Sequence, residues 1–184
     1  MQAQFDTALA ELGAVTAKID PGAVMRACES IAAARRIVLY GCGREGLQMR
    51  GFAMRLHHLG CDVAMQGDMA TPPVGSGDLF IASAGPGELA TVTALMKVAS
   101  TAGAGVLFLT GEPDAPCAKL ASEVLTIPAQ TMARDQGVGA TSVLPMGSVY
   151  EGALFVLFEI MVLRLRDRLG ETSETMRARH TNLE

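Results

Sequence analysis

The sequence contains no tryptophan and few other aromatic residues. Phenylalanine and tyrosine together make up 4% of the 184 residues, whereas hydrophobic residues as a whole make up 49%. A core of this composition must consist mainly of alanine, valine, leucine, isoleucine and methionine. That usage is expected where helices pack against a parallel sheet buried on both faces. The length suits one domain that buries about two-thirds of its unfolded surface.

The sequence also lacks the hydrophobic runs that membrane proteins and secreted precursors carry. No apolar run approaches the roughly 18 residues that a membrane span needs. The N-terminus has no basic patch followed by an apolar stretch, so no secretory signal is visible. We therefore expect a cytoplasmic protein with no membrane partner.

Cysteine is scarce, and its spacing fits neither a disulfide framework nor a metal site. Cys28, Cys42, Cys61 and Cys117 are scattered, with no CxxC pair and no neighbouring histidine. We interpret them as reduced thiols and expect no metal. The formal net charge of −4 argues against a nucleic-acid partner, because a phosphate backbone needs a basic face.

Short apolar segments alternate with segments of helical periodicity along most of the chain. Strands are predicted at residues 36–40, 61–65, 78–82, 106–110 and 124–127, and helices at 2–18, 21–34, 88–102 and 147–168, with a further helix through Met49, Phe52 and Leu56. This alternation predicts an α/β fold, a three-layer α-β-α sandwich around a five-stranded parallel sheet. Residues 129–143 are expected to form a loop, and a polar tail is expected to follow the last helix.

The chain shows no linker that would divide it, so residues 1–184 are expected to form a single domain. We expect N-terminal helices at 1–34, a sheet core with the ligand loops at 35–128, and a C-terminal helix and tail at 145–184. In parallel sheets, ligands bind beyond the carboxyl ends of the strands. The loops after Tyr40 and Ala82 are therefore expected at one rim, where they form a common pocket bordered by Glu151.

Both of these loops are rich in glycine and lead into helices. The first contains Gly41, Gly43 and Gly46, and the second contains Gly85 and Gly87. Glycines let the backbone approach a ligand, and the free N–H groups of a helix start favour an anion. The GxGxxG spacing of the first loop also fits a dinucleotide fingerprint. However, no acidic residue stands at the end of the next strand, which disfavours that alternative.

Several longer motifs occur in one order along the chain: GCGREG (41–46), FAMRLHHLG (52–60), GDMATP (67–72), PMGSVYE (145–151) and RHTNL (179–183). Together they resemble the 6-phospho-3-hexuloisomerases, a branch of the sugar isomerase (SIS) domain family, over about residues 5–184. The resemblance implies a five-stranded, flavodoxin-like parallel sheet and a homotetramer with active sites at subunit contacts. It also implies interconversion of a 3-keto hexulose 6-phosphate and fructose 6-phosphate, with no metal or nucleotide cofactor.

The resemblance assigns roles to two residues of the C-terminal region. Moving a carbonyl along a sugar needs a base that removes a proton and an acid that returns one through an enediol. Glu151 would be the base, and His180 would be its partner acid or a ring-opening group. Without the resemblance, Glu151 reads as a helix N-terminal acid and His180 as a solvated side chain. The expected ligand contacts are Gly41, Gly43, Arg44, Glu45, Ser83, Ala84, Gly85, Gly87, Glu88 and Ser148.

The two loops depart from the family pattern where the phosphate would be bound. The family has a serine at position 45 and hydroxyl residues along the second loop. This chain has Glu45 in the first loop, and Ala84, Pro86 and Leu89 in the second. Four hydroxyl groups are therefore missing, although a shift of one residue would let Ser83 replace one of them.

The acidic residues of the loops leave two readings of the ligand open. Glu45 and Glu88 would repel a phosphate if they faced the site, and would stabilise the two helix starts if they faced solvent. One hypothesis is therefore an isomerase with an altered phosphate-binding site. The other is an SIS relative that binds a carbohydrate derivative without turnover, or that recognises an unphosphorylated or amine-bearing ligand. We expect Arg44 to contact the ligand, and Arg50 and Arg55 to form surface pairs.

Overall fold

The computed structural model describes residues 1–183. Its helices are α1 (Gln2–Thr16), α2 (Pro21–Ala33), α3 (Gly43–His58), α4 (Ala90–Thr101), α5 (Ser148–Leu169) and α6 (Ser173–Ala178). Its strands are β1 (Ile37–Gly41), β2 (Val63–Met65), β3 (Leu79–Ser83), β4 (Gly105–Thr110) and β5 (Glu123–Thr126). Short 3₁₀ turns occur at Pro116–Leu120, Met132–Arg134 and Gly137–Gly139. No helix within residues 1–183 has both the length and the apolar character to cross a bilayer.

The five strands form one sheet in the order β2-β1-β3-β4-β5, and every neighbouring pair is parallel. The chain leaves β1 on one side to form β2 and returns on the other side to form β3. Such a reversal of strand order opens a crevice at the carboxyl ends, where α/β proteins bind ligands. In the register of β1 with β3, Gly41 lies opposite Ser83, so the two following loops start side by side.

Alternate residues of the strands face two separate hydrophobic cores, which places helices on both faces of the sheet. Ile37, Leu39 and Ile81 pack under helices α2, α3 and α5. Val38, Phe80 and Phe108 pack under α4 and the 3₁₀ turn at Pro116–Leu120. Period-two alternation with both sets buried is what a strand covered on both faces requires.

The predicted α/β sandwich with its five-stranded parallel sheet is confirmed, and one detail of the predicted tail needs correction. The tail contains a short helix, α6, which a capping box at Thr172 and Thr175 begins. The predicted N-terminal helix is present as α1, in which Leu12 and Val15 pack against the core but Phe5 and Leu9 are 60% and 66% exposed. Helix α1 therefore leaves apolar surface uncovered.

Candidate functional site

The first turn of α3 lies directly against the end of β1. A Cβ atom on Gly46 would lie 2.5 Å from the carbonyl oxygen of Gly41, a distance that no real side chain tolerates. A Cβ on Gly41 would in turn lie 3.1 Å from the amide nitrogen of Gly46. The glycines therefore permit a close approach of backbone to backbone, and this approach directs residue 45 towards β3.

Replacing Gly46 with alanine is expected to destabilise the protein because the first turn of α3 must move away from β1. We expect a loss of about 1–3 kcal/mol in the free energy of unfolding, the usual cost of overpacking. Gly51→Ala is the matched control, because a Cβ at Gly51 of the same helix meets nothing within 4 Å. That control should gain up to about 1 kcal/mol from helix propensity. Urea denaturation of both variants measures the difference, and equal stabilities would contradict the close approach.

The carboxylate of Glu45 is buried between the two loops. Only 9% of Glu45 is exposed, and the residue points at the end of β3. It accepts a hydrogen bond of 2.5 Å from the hydroxyl of Ser83, and the amide of Gly85 lies 3.0 Å from both of its oxygens. Burial raises the pKa of Glu45, and the bonds from Ser83 and Gly85 offset part of that rise.

The solvent-facing orientation considered for Glu45 is therefore wrong, whereas Glu88 of the second loop is exposed. The Glu45 contacts also show that the loops after β1 and β3 meet, as expected. Ser83 takes part in this contact through its hydroxyl. Its hydroxyl also lies 3.3 Å from the hydroxyl of Tyr150.

Helix α5 brings Glu151 to the same rim. Two consecutive residues with left-handed backbone, Met146 (φ 57°) and Gly147 (φ 76°), turn the chain into the helix. A Cβ on Gly147 would lie 3.0 Å from the amide nitrogen of Met132, so a side chain there would crowd the neighbouring loop. Glu151 consequently lies in the first turn of α5, and its carboxylate lies beside the first glycine loop.

Arg44 holds Glu151 in place from α3. Its Nε lies 3.2 Å from Oε1 of Glu151, and its Nη1 donates to the hydroxyl of Ser148 at 3.0 Å. A further Arg44 nitrogen donates to the carbonyl of Met146. The Glu151 side chain is 16% exposed, and this partial burial raises its pKa, against the lowering effect of Arg44. A shielded carboxylate with a raised pKa is the state expected of a general base.

Glu45 and Glu151 line one small cavity of about 40 Å³. Pro86 of the second loop and Tyr150 of α5 complete its inner side, and Thr131, Met132, Met146 and Gly147 form the remaining wall. This volume is close to that of one water molecule in the liquid, about 30 Å³. The enclosed part therefore admits only one end of a sugar, and the rest of the ligand must lie outside it.

The sequence interpretation missed most of the residues that line this cavity, including its two hydroxyl-bearing residues, Tyr150 and Thr131. Tyr150 is fully buried, and a Cβ on Gly85 would lie 2.9 Å from its ring, so the two are tightly packed. Its position directly before Glu151 was the available signal. Thr131 is 2% exposed, and its hydroxyl has no hydrogen-bond partner among residues 1–183. It lies in the segment regarded as a loop, where no pattern distinguished it.

The other candidate ligand residues lie around the rim or behind it. Gly43 is exposed at the start of α3, and Ser148 is half-buried beside Arg44. Ala84 is fully buried in the core under α4. A Cβ on Gly87 would meet the side chains of Glu112 and Ala115, neither of which lines the cavity. As expected for a surface pair, Arg55 bonds Glu159 at 3.0 Å.

His180 lies at the opposite end of α3 from Glu151. Its ring stacks on the buried ring of His58, with 5.3 Å between the centroids. Arg179 fixes this segment by donating to the carbonyl of His58 and to Glu171. The 14 residues from Arg44 to His58 correspond to about 21 Å of helix. One chain therefore does not bring His180 to its own Glu151.

No group of three or more His, Cys, Asp or Glu side chains within residues 1–183 is arranged to hold a metal ion. The four cysteines are unpaired with one another. The polar side chains that line the cavity are the carboxylates of Glu45 and Glu151 and the hydroxyls of Thr131 and Tyr150.

Comparison with known proteins identifies the family. The SIS domain profile matches residues 30–157. A 3-hexulose-6-phosphate isomerase from Mycobacterium gastri is 37% identical over 174 residues, or 95% of this chain and 86% of that protein. One from Methylomonas aminofaciens is 37% identical over 152 residues, or 83% and 82%.

A solved structure agrees with this assignment at the level of the fold. It is that of a hypothetical protein from Methanococcus jannaschii, whose inferred molecular function is 3-hexulose-6-phosphate isomerase. Its TM-score is 0.85 at 22% identity, and the match covers 99% of both chains. Because the identity is low, this likeness shows the shared architecture alone. The resemblance drawn from the sequence motifs is confirmed: the chain belongs to the SIS domain family.

Proposed function

We propose that this protein is a sugar isomerase of the 3-hexulose-6-phosphate isomerase type. It moves a carbonyl between adjacent carbons of a hexulose through an enediol. The observation that carries the proposal is the position of Glu151. Its partly buried carboxylate lies beside Arg44, at the carboxyl ends of β1 and β3, where the strand order of the sheet reverses. The curated relatives of matching length, which are named 3-hexulose-6-phosphate isomerases, support the same reaction.

Glu151 acts as the base in this proposal. It removes the proton from the carbon next to the carbonyl, and the electrons of the C–H bond form the enediol double bond while the carbonyl oxygen gains a proton. Return of a proton to the former carbonyl carbon, with loss of the proton on the neighbouring hydroxyl, leaves the carbonyl on the adjacent carbon. Protons and electrons balance within the sugar, so the product is an isomer.

Arg44 positions Glu151 and sets its proton affinity. Since the charge of Arg44 lowers the pKa of Glu151, Arg44→Gln is expected to raise that pKa. The acid limb of the kcat/KM profile reports the base of the free enzyme, so this limb should move to higher pH. Arg55→Gln is the matched control, because Arg55 also joins α3 to a carboxylate of α5, that of Glu159. An unmoved limb in Arg44→Gln would exclude this role.

The proposal includes a homo-oligomer, and we favour a tetramer. Helices α1 and α5 carry large apolar side chains that are 46–66% exposed, namely Phe5, Leu9, Phe155 and Ile160. A second copy of the chain would cover this apolar surface. Because His180 lies about 21 Å of helix away from its own Glu151, it would serve as the partner acid of another subunit's Glu151. The active site is then shared between two chains.

The cysteines support the cytoplasmic location that we propose. All four are free, and two of them, Cys28 and Cys117, are buried. Free thiols are typical of a reducing compartment, which supports a cytoplasmic location.

The buried position of Glu45 favours a second candidate function. Its carboxylate occupies the donors of Ser83 and Gly85, which would otherwise be available to a ligand. An SIS domain re-purposed to bind a carbohydrate derivative without turnover is therefore the alternative.

An assay of product formation separates the two candidates. A 3-keto hexulose 6-phosphate and the unphosphorylated 3-keto hexulose are each supplied, and fructose 6-phosphate or fructose is measured with coupling enzymes. Turnover of either substrate is expected. Saturable binding of a ketose with no turnover of either substrate would overturn the isomerase proposal in favour of the binding domain.

A further inference from the structure

The donors at the start of the second loop are already used by the protein itself. The Ser83 hydroxyl and the Gly85 amide both bond the Glu45 carboxylate, at 2.5 and 3.0 Å. Such a convergence of a hydroxyl and a backbone amide is what an anionic ligand would need. Here the anion is the side chain of Glu45, a residue of which only 9% is exposed. An anionic group of a ligand would therefore have to displace that side chain.

The charges around the cavity oppose a second anion. Glu45 and Glu151 both line it, and none of the described residues in the lining carries a positive charge. The guanidinium of Arg44 is nearby but is engaged by Glu151, Ser148 and Met146. A phosphate monoester in this cavity would face two carboxylates with no free cation to compensate.

The same groups suit the hydroxyl groups of a sugar. The carboxylates of Glu45 and Glu151 accept hydrogen bonds, and the Thr131 hydroxyl, 2% exposed, has no partner among the described residues. A buried hydroxyl without a partner is costly unless a ligand or water satisfies it. The cavity volume of about 40 Å³ matches a small group such as a hydroxymethyl.

We infer that this cavity takes an uncharged, hydroxyl-bearing end of a sugar, and that Glu45 excludes a phosphate monoester from it. The inference rests on the proposed function for the location of the site. It assigns to the cavity the unphosphorylated end of the ketose, so that a phosphate carried at the other end lies outside the cavity. Glu45 is then the residue that determines specificity, through the donors that it occupies.

Binding measurements test this inference independently of turnover. Isothermal titration with fructose 6-phosphate and with fructose is carried out on the wild type and on Glu45→Ser, which frees the donors of Ser83 and Gly85. Glu88→Ser is the matched control, since it removes the same charge from an exposed position of the second loop. Circular dichroism and the Tm establish that each variant is folded, and Glu45→Ala, which also frees both donors and has the same expected result, replaces Glu45→Ser if the latter does not fold.

The expected result is a Kd for fructose 6-phosphate at least about tenfold lower in Glu45→Ser than in the wild type, with no such gain in Glu88→Ser. A smaller gain, an equal gain in the control, or no binding of fructose 6-phosphate to either variant would each overturn the inference. A failure of the proposed function can be distinguished from a failure of this inference. It would appear as an absence of turnover, regardless of how tightly fructose or fructose 6-phosphate binds.

Discussion

Glu151→Gln is expected to lower turnover about 10²–10⁴-fold, the range by which a positioned general base contributes to proton transfer. Glutamine keeps the shape of the side chain and can still accept a bond from Arg44, but it cannot take the proton. The loss should fall on kcat, because the cavity itself is unchanged. Rates measured with saturating ketose in the coupled assay give this value directly.

The stability of Glu151→Gln should hardly change. Arg44 is 45% exposed on its side chain, and ion pairs of such exposure contribute about 0–1 kcal/mol. Glu29→Gln is the matched control, because it breaks another arginine–carboxylate pair, between Glu29 of α2 and Arg168 at the far end of α5 from the cavity. Retained activity in Glu151→Gln would refute its role as the base, and an equal loss in Glu29→Gln would show a general effect of removing such a pair.

The second large effect concerns the proposed sharing of each active site between two chains. His180→Ala alone should lower turnover by about 10²–10⁴-fold, as for loss of a general acid. Glu151→Gln and His180→Ala subunits are then co-assembled in equal amounts. If each site combines Glu151 of one chain with His180 of another, random pairing gives both intact residues in about a quarter of the sites, because each chain contributes its intact residue with a probability of about one half. Activity of the mixture should therefore rise to about a quarter of the wild-type value.

The mixing result discriminates between arrangements that single variants cannot distinguish. A mixture no more active than either variant alone would mean that His180 does not complete a neighbour's site. Each variant is first assembled with wild-type subunits as a control for exchange. Size-exclusion chromatography with light scattering checks that all assemblies have the same mass, so that a loss of activity is not a loss of oligomer.

The layers and the glycine loops could be predicted because their signals are local. β-Branched and aliphatic runs such as Ile37–Gly41 and Gly105–Thr110 are long enough to show a buried strand. The meeting of the loops follows from parallel topology, which places all carboxyl ends at one rim. The family motifs then connected Glu151 to this rim.

Helix α6 was missed for a physical reason. Its six residues make less than two turns, so no hydrophobic period can develop, and its start depends on the capping box of Thr172 and Thr175. The exposure of Phe5 and Leu9 on α1 could not be predicted either, because spacing alone cannot show whether a partner covers an apolar stripe.

The direction of Glu45 could not be read from the sequence either. An acidic residue in the first turn of a helix is favourable whether it faces solvent or a neighbouring loop. The decisive fact is the contact of Gly46 with Gly41, which turns residue 45 inward and depends on tertiary structure. The separation of His180 from Glu151 is likewise visible only once α3 lies between them.

The central claim is that the loops after Tyr40 and Ala82 and the start of α5 enclose one ligand. Hydrogen–deuterium exchange with mass spectrometry, with and without a saturating ketose, tests it most directly. Peptides covering residues 41–49, 83–89 and 146–152 should all exchange more slowly when the ketose is bound. Protection of only one of these segments, or of none, would contradict the existence of the shared pocket.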